Sequence, residues 1–167
     1  MTVTSSGGAT LTLPNDEQIL ITREFDAPRQ LVYEAWTTPE LVERWWHAKR
    51  GRVTVVDIDL RAGGSWRYVM VADDGTEVGF HGRYREVVPG ERIVSTEVYE
   101  GLPPGIPEEQ AATVNTVTFS EANGRTLLTL LIEAPNKTAR DAIIESGMEA
   151  GLQDALDLLE ETAQGLR

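Results

Sequence analysis

The chain has 167 residues, 41% of them hydrophobic and 25% charged, with a formal net charge of −12. That length suits one domain able to bury a full core. The excess of carboxylates argues against nucleic acid and anionic membrane surfaces as partners, and the absence of cysteine excludes disulfides, thiolate catalysis and thiolate-held metal.

The first stretch, "MTVTSSGGATLTLPND", has no basic start and no long apolar run. It reads as a flexible tail over residues 1–15, ahead of a single domain over 16–167, and not as a signal peptide. No segment reaches the ~18 apolar residues of a membrane span. A cytoplasmic location fits these features.

"QILITREFD" (18–26) alternates around Ile19, Ile21 and Phe25 and predicts a strand. "APRQLVYEAW" and "TPELVERWW" then predict two short amphipathic helices, each opened by a proline, with Thr38 as cap of the second. Trp45 and Trp46 fall at the end of that second helix. Neighbouring helical residues sit ~100° apart, so one broad apolar face can hold both indoles.

Six strands are predicted next, over 53–60, 65–72, 77–88, 92–100, 112–120 and 125–134. Turn residues fill the gaps: "RAGG", "DDG", "PGE" and "ANG". The longest irregular piece is "GLPPGIPEEQA", a candidate lid or rim over residues 101–111. From Lys137 to about Gln164 the apolar period becomes helical, through Ile144, Met148, Leu152, Ala155, Leu156 and Leu159. Thr138 and Asp141 resemble a capping box at its start, and Gly165 suits its end. Unbroken, this helix would be about 40 Å long. The expected class is therefore α+β, with a seven-stranded curved antiparallel sheet wrapped around a long C-terminal helix, in the order β-α-α-β6-α.

In that order the segments "ITREFDAPRQLVYEAWTTPELVERWW", "DLRAGGSWRY" and "GRYREVVPGERIV" resemble the activator-of-heat-shock-protein-90-ATPase homologue group of the START-like (SRPBCC, birch-pollen-allergen-like) superfamily. The likeness runs from about residue 18 to the C-terminus. It implies a helix-grip fold with an internal cavity, and binding of apolar or amphipathic small molecules, in some branches with chemistry. Many members of the group carry Gly-Trp in the last helix. Here the pair is Gly151-Leu152, which implies a cavity of different volume and shape.

Candidate pocket walls follow. Trp66, Tyr68 and Met70 share one strand face, as do Phe80 and Tyr84 on the next strand. With Trp45, Trp46, Met148 and Leu152 they form a ligand-binding set contributed by several elements. Taken singly, each reads as ordinary core. Gly147 and Gly151 lie four apart on the last helix, where each costs about 1 kcal/mol relative to alanine. Close packing on the sheet is the expected reason, with space for a ligand as the alternative. "RAGG" reads as a turn, with Arg61 free to pair with a carboxylate. His47 and His81 have no metal spacing, and His81 should face solvent, opposite Phe80 and Gly82.

Glu97 and Glu133 read by default as solvated carboxylates on the outer face. An inward one would have a raised pKa and could act as a general acid or base. Glu97, Glu133, Tyr84 and His81 are the weak catalytic candidates. The leading expectation is a binder of a lipid-like or aromatic small molecule between sheet and last helix, entered near the second short helix and the 101–111 segment. No metal or cofactor is expected. The alternatives are a cyclase- or hydratase-like enzyme, and a co-chaperone-like interaction module. Acidity and a single domain disfavour a chaperone partner, and a homodimer is compatible with the chain.

Overall fold

The computed structural model describes residues 8–102 and 105–167. Its strands are β1 (Thr10–Thr12), β2 (Gln18–Phe25), β3 (Gly51–Ile58), β4 (Ser65–Ala72), β5 (Glu77–Val88), β6 (Arg92–Tyr99), β7 (Thr113–Ala122) and β8 (Arg125–Glu133). The helices are α1 (Arg29–Thr37), α2 (Pro39–Val42), α3 (Glu108–Ala111), α4 (Lys137–Glu145) and α5 (Met148–Gln164). The strands form one antiparallel, 8-stranded sheet in the order β1-β2-β8-β7-β6-β5-β4-β3. The helix-grip architecture is as expected.

Alternation along β2 leaves Ile19, Ile21, Arg23 and Phe25 buried, and this face meets α5. Arg23 fixes the alignment of the two elements. Its guanidinium reaches Asp157 at 2.6 Å and Glu160 at 3.0 Å on α5. At the far end, the Gln164 side chain donates to the Asp26 carbonyl at 3.2 Å. The helix therefore runs alongside β2 in the same direction, with its N-terminal turns toward the Gln18 end. The β7–β8 hairpin turns at Asn123 and Gly124, both in the left-handed region at φ 56 and φ 75, as a tight two-residue reversal requires.

The packing divides in two. Around β2, β7 and β8 the core is closed: Phe25, Phe119, Ile19, Ile21, Leu128, Leu156, Leu159 and Val32 are fully buried. Around β3 to β5 it is mixed: the inward Trp66, Met70 and Tyr84 are buried, whereas Val56, Ile58, Tyr68 and Phe80 are only partly so.

Three expectations need correction. The sheet has an eighth strand, because Thr10–Thr12 pairs with Leu20–Thr22 and buries Ala9 and Leu11, within the stretch read as a tail. Those residues alternate, but three of them give too short a pattern to stand out. Residues 1–7 lie outside the described chain. The C-terminal helix is two helices: Gly147 takes φ 82 between α4 and α5, a left-handed conformation that glycine adopts without steric penalty. The start of α4 is capped by Asn136, whose side chain accepts from the Ala139 amide at 2.8 Å, and not by Thr138.

Candidate ligand groove

The inward face is set by register. On β6, Ile93 pairs with Val117, Ser95 with Asn115 and Glu97 with Thr113, and Val117 belongs to the core. On β5, Tyr84 pairs with Ser95 and Phe80 with Tyr99; on β4, Tyr68 pairs with Phe80 and Trp66 with Gly82. Pairing partners share a face. Trp66, Tyr68, Met70, Phe80, Tyr84, Glu97 and Asn115 thus all point into the curve of the sheet.

Trp46 closes over this face. Its ring meets Tyr68 edge-on at 5.5 Å and Phe80 at 5.9 Å. Trp45 goes elsewhere: it stacks on Trp36 at 5.1 Å, and its indole N–H donates to the Ala35 carbonyl at 2.9 Å, inside the core beneath α1. The adjacent indoles therefore split between core and groove. Both sit in the turns after α2, which is only four residues long. Phe80 also contacts Tyr99 at 5.2 Å, and Tyr99 is 41% exposed.

Opposite, Met148 and Leu152 of α5 are half-buried against the core. Gly151 lies between Met148 and Ala155 on the inward stripe, yet a Cβ placed there would meet nothing within 4 Å. Close packing was the expected reason for this glycine, but the space beside it is open. Gly82 is the reverse case. A Cβ there would collide with the Thr96 carbonyl and the Trp66 indole, whose N–H crosses β5 to donate to that carbonyl at 3.1 Å. The β5–β6 ladder is irregular beside this point, where the Arg83 amide donates to the Thr96 hydroxyl at 3.0 Å. Missing side-chain bulk at Gly82 lets Trp66 form a wall next to Glu97.

Glu97 is the polar feature of the inward face. The Thr113 hydroxyl donates to the Asn115 Oδ1 at 2.9 Å, and the Asn115 Nδ2 donates to the Glu97 Oε1 at 3.3 Å. The chain of dipoles ends on the carboxylate. Among the described residues no lysine, arginine or histidine pairs with Glu97, and nothing bonds its Oε2. Burial pushes its pKa above the ordinary 4.5, with the Asn115 amide opposing. Burial also raises the Tyr68 phenol well above its usual value, and the Tyr84 phenol rises for the same first reason. The default reading of Glu97 as an outer-face carboxylate is thus replaced by an inward one. A single inward Glu on a β-strand has the same local pattern as an outward one, so only the register reveals it.

The other candidates separate from this group. Glu133 is on the outer face, where it accepts from the Gln18 side chain at 3.1 Å. His81 is on the outer face as expected. Its Nδ1 lies 2.8 Å from Glu100 and its Nε2 3.0 Å from Glu108, and Arg67 holds Glu100 through two bonds of 2.9 Å. This cluster holds Glu100 down at about 2, by Arg67 first and His81 second. Arg61 pairs with Asp59 at 3.0 Å, and Gly63 makes the reversal at φ 86. No group of His, Asp and Glu among the described residues could hold a metal ion.

Two prominent surface cavities lie away from the groove. One, of about 550 Å³, is lined by Asn15, Asp16, Glu17, Gln18, Glu133 and Ala134. The other, of about 310 Å³, sits on the β7–β8 hairpin. Neither lies under α5, where an enclosed cavity was expected; there Met148 and Leu152 are half-buried and Gly151 has open space at its side. No helix is long and apolar enough to cross a membrane among the described residues.

Solved structures share this architecture. A Rhodobacter sphaeroides protein superposes with a TM-score of 0.84 at 23% identity, covering 95% of this chain and 99% of its own. Protein Ms6760 from Mycobacterium smegmatis gives 0.80 at 24% identity, covering 92% of this chain and 95% of its own. Protein CV1439 from Chromobacterium violaceum gives 0.76 at 27%, covering 89% and 98%. No curated protein matches the sequence. The model of the family described as "Activator of Hsp90 ATPase homolog 1-like protein" matches residues 26–164, and the chain belongs to that family.

Proposed function

We propose that this protein binds a small amphipathic molecule in the groove between the inward face of β4–β6 and the start of α5. The observation that carries the reading is the pair Tyr68 and Phe80, apolar, inward and only partly covered, with open space beside Gly151 on α5 in support. Apolar surface left half-covered inside a fold gains about 25 cal/mol per Å² when a guest removes it from water, before association costs. Trp46, Trp66, Tyr68, Met70, Phe80, Tyr84, Met148 and Leu152 supply the walls, and the guest enters past Tyr99. Trp45 supports the wall from the core side. Titration with decanol tests this: a saturable change in tryptophan emission and a rise in Tm are expected, both lost in Gly151→Phe. No change in either for the wild type would count against it.

A second reading has one specific observation in its favour. Glu97, inward, half-buried and beside Tyr68, has a raised pKa, and in this reading it would move a proton on a bound guest, as a cyclase- or hydratase-like enzyme requires. Single-turnover assays on a bound polyketide- or enone-like guest would show product only if this holds, and Glu97→Gln would abolish it.

A further inference from the structure

We infer that the guest of this groove carries a protonated amine, which the carboxylate of Glu97 receives. The inference rests on the binding reading above and names the chemistry of its polar end.

Three features converge on it. Glu97 faces inward and half-buried with no counter-charge among the described residues, whereas carboxylates withdrawn from water in folded proteins are ordinarily paired. Its two oxygens differ. Oε1 takes the Asn115 amide at 3.3 Å, while Oε2 has no partner among the described residues. The alignment of its neighbours is also one-directional. Thr113 donates to Asn115 at 2.9 Å, and Asn115 in turn donates to Glu97, so the relay ends on an acceptor. A guest that brought a carboxylate would add a second negative charge to this end of the groove. One that brought an ammonium would supply the missing charge and a donor for Oε2, in a charge-assisted hydrogen bond.

The surroundings shape the rest of the guest. Trp66 stands beside Glu97 across the bare backbone of Gly82, its N–H already engaged with Thr96 at 3.1 Å. Its indole therefore offers a face and no further donor. Tyr68 and Phe80 continue the apolar wall toward Trp46. An ammonium at Glu97 with an alkyl or aryl body along Tyr68, Phe80 and Trp46 matches both ends. The chain's −12 charge also favours arrival of a cation over an anion.

The test uses one apolar body with three heads: decylamine, decanol and decanoate, titrated calorimetrically into the full chain at pH 7. Decylamine is expected to bind at least tenfold more tightly than decanoate, with decanol between. In Glu97→Gln the amine advantage should shrink to less than about threefold. In 0.5 M salt the wild-type preference should persist, since screening weakens distant surface charge far more than a contact inside the groove. That measurement needs no variant. Equal binding of all three heads would leave the groove standing and refute the role of Glu97. A preference that survives Glu97→Gln, or disappears in salt, would refute it also, by assigning the preference to the surface charge. If none of the three binds, the groove reading falls, and this inference with it.

Discussion

A half-buried carboxylate among two tyrosines and an indole is held there against partial desolvation. For Glu97 the folded state raises the pKa above the ordinary 4.5, with burial the first cause. The ionised form is therefore less favourable in the fold than in the unfolded chain. That cost is absent where the group is protonated in both states, grows as pH rises through 4.5, and is complete above the folded pKa. Glu97→Gln keeps the acceptor for Asn115 and removes the charge. Thermal melts should show its Tm a few degrees above wild type at pH 7, with the gain vanishing below about pH 4. Equal Tm at both pH values would mean that the carboxylate is solvated. Nothing local in "STEVYE" announces this residue. The strand pattern was legible, but its inward phase depended on pairing Glu97 with Thr113, a partner sixteen positions away.

At the scale of the elements, two glycines four residues apart behave oppositely. Gly147 needs its left-handed φ of 82 to separate α4 from α5, while Gly151 has ordinary helical backbone and empty space at its side. Gly151→Ala should stabilise by about 1 kcal/mol, from helix propensity alone. Gly147→Ala should destabilise by about 1 kcal/mol, from the strained φ. Urea unfolding of the pair separates them by sign. The sequence showed both as unfavourable helical glycines and gave no way to divide their roles, because an unbroken apolar period spans the break. Arg23 couples β2 to α5 from a side chain only 2% exposed, facing Asp157 and Glu160. Arg23→Ala should cost about 2–4 kcal/mol, toward the lower side of a broken buried pair because Asp157 is 49% exposed. In the sequence Arg23 merely interrupts an apolar alternation. Its role appears only when the helix lies across it.

For the whole molecule, the core is closed around β2, β7 and β8 and only partly closed around β3 to β5, where Val56, Ile58, Tyr68 and Phe80 stay half-covered. The chain order of elements, the hairpins and the wrapped helix were readable because period-2 alternation marks the strands and glycine-rich turns separate most of them from β3 to β8. The aromatic rows of β4 and β5 were readable for the same reason. The split of Trp45 from Trp46 was not, since it turns on α2 ending after four residues. The half-covered side is what a guest would occupy, and a backbone and methyl NMR titration with decanol locates it directly. Shifts are expected at Tyr68, Phe80, Glu97, Met148 and Gly151, with the surface cavity at Asn15–Gln18 silent. Shifts confined to that surface cavity, or none at all, would contradict a groove under α5.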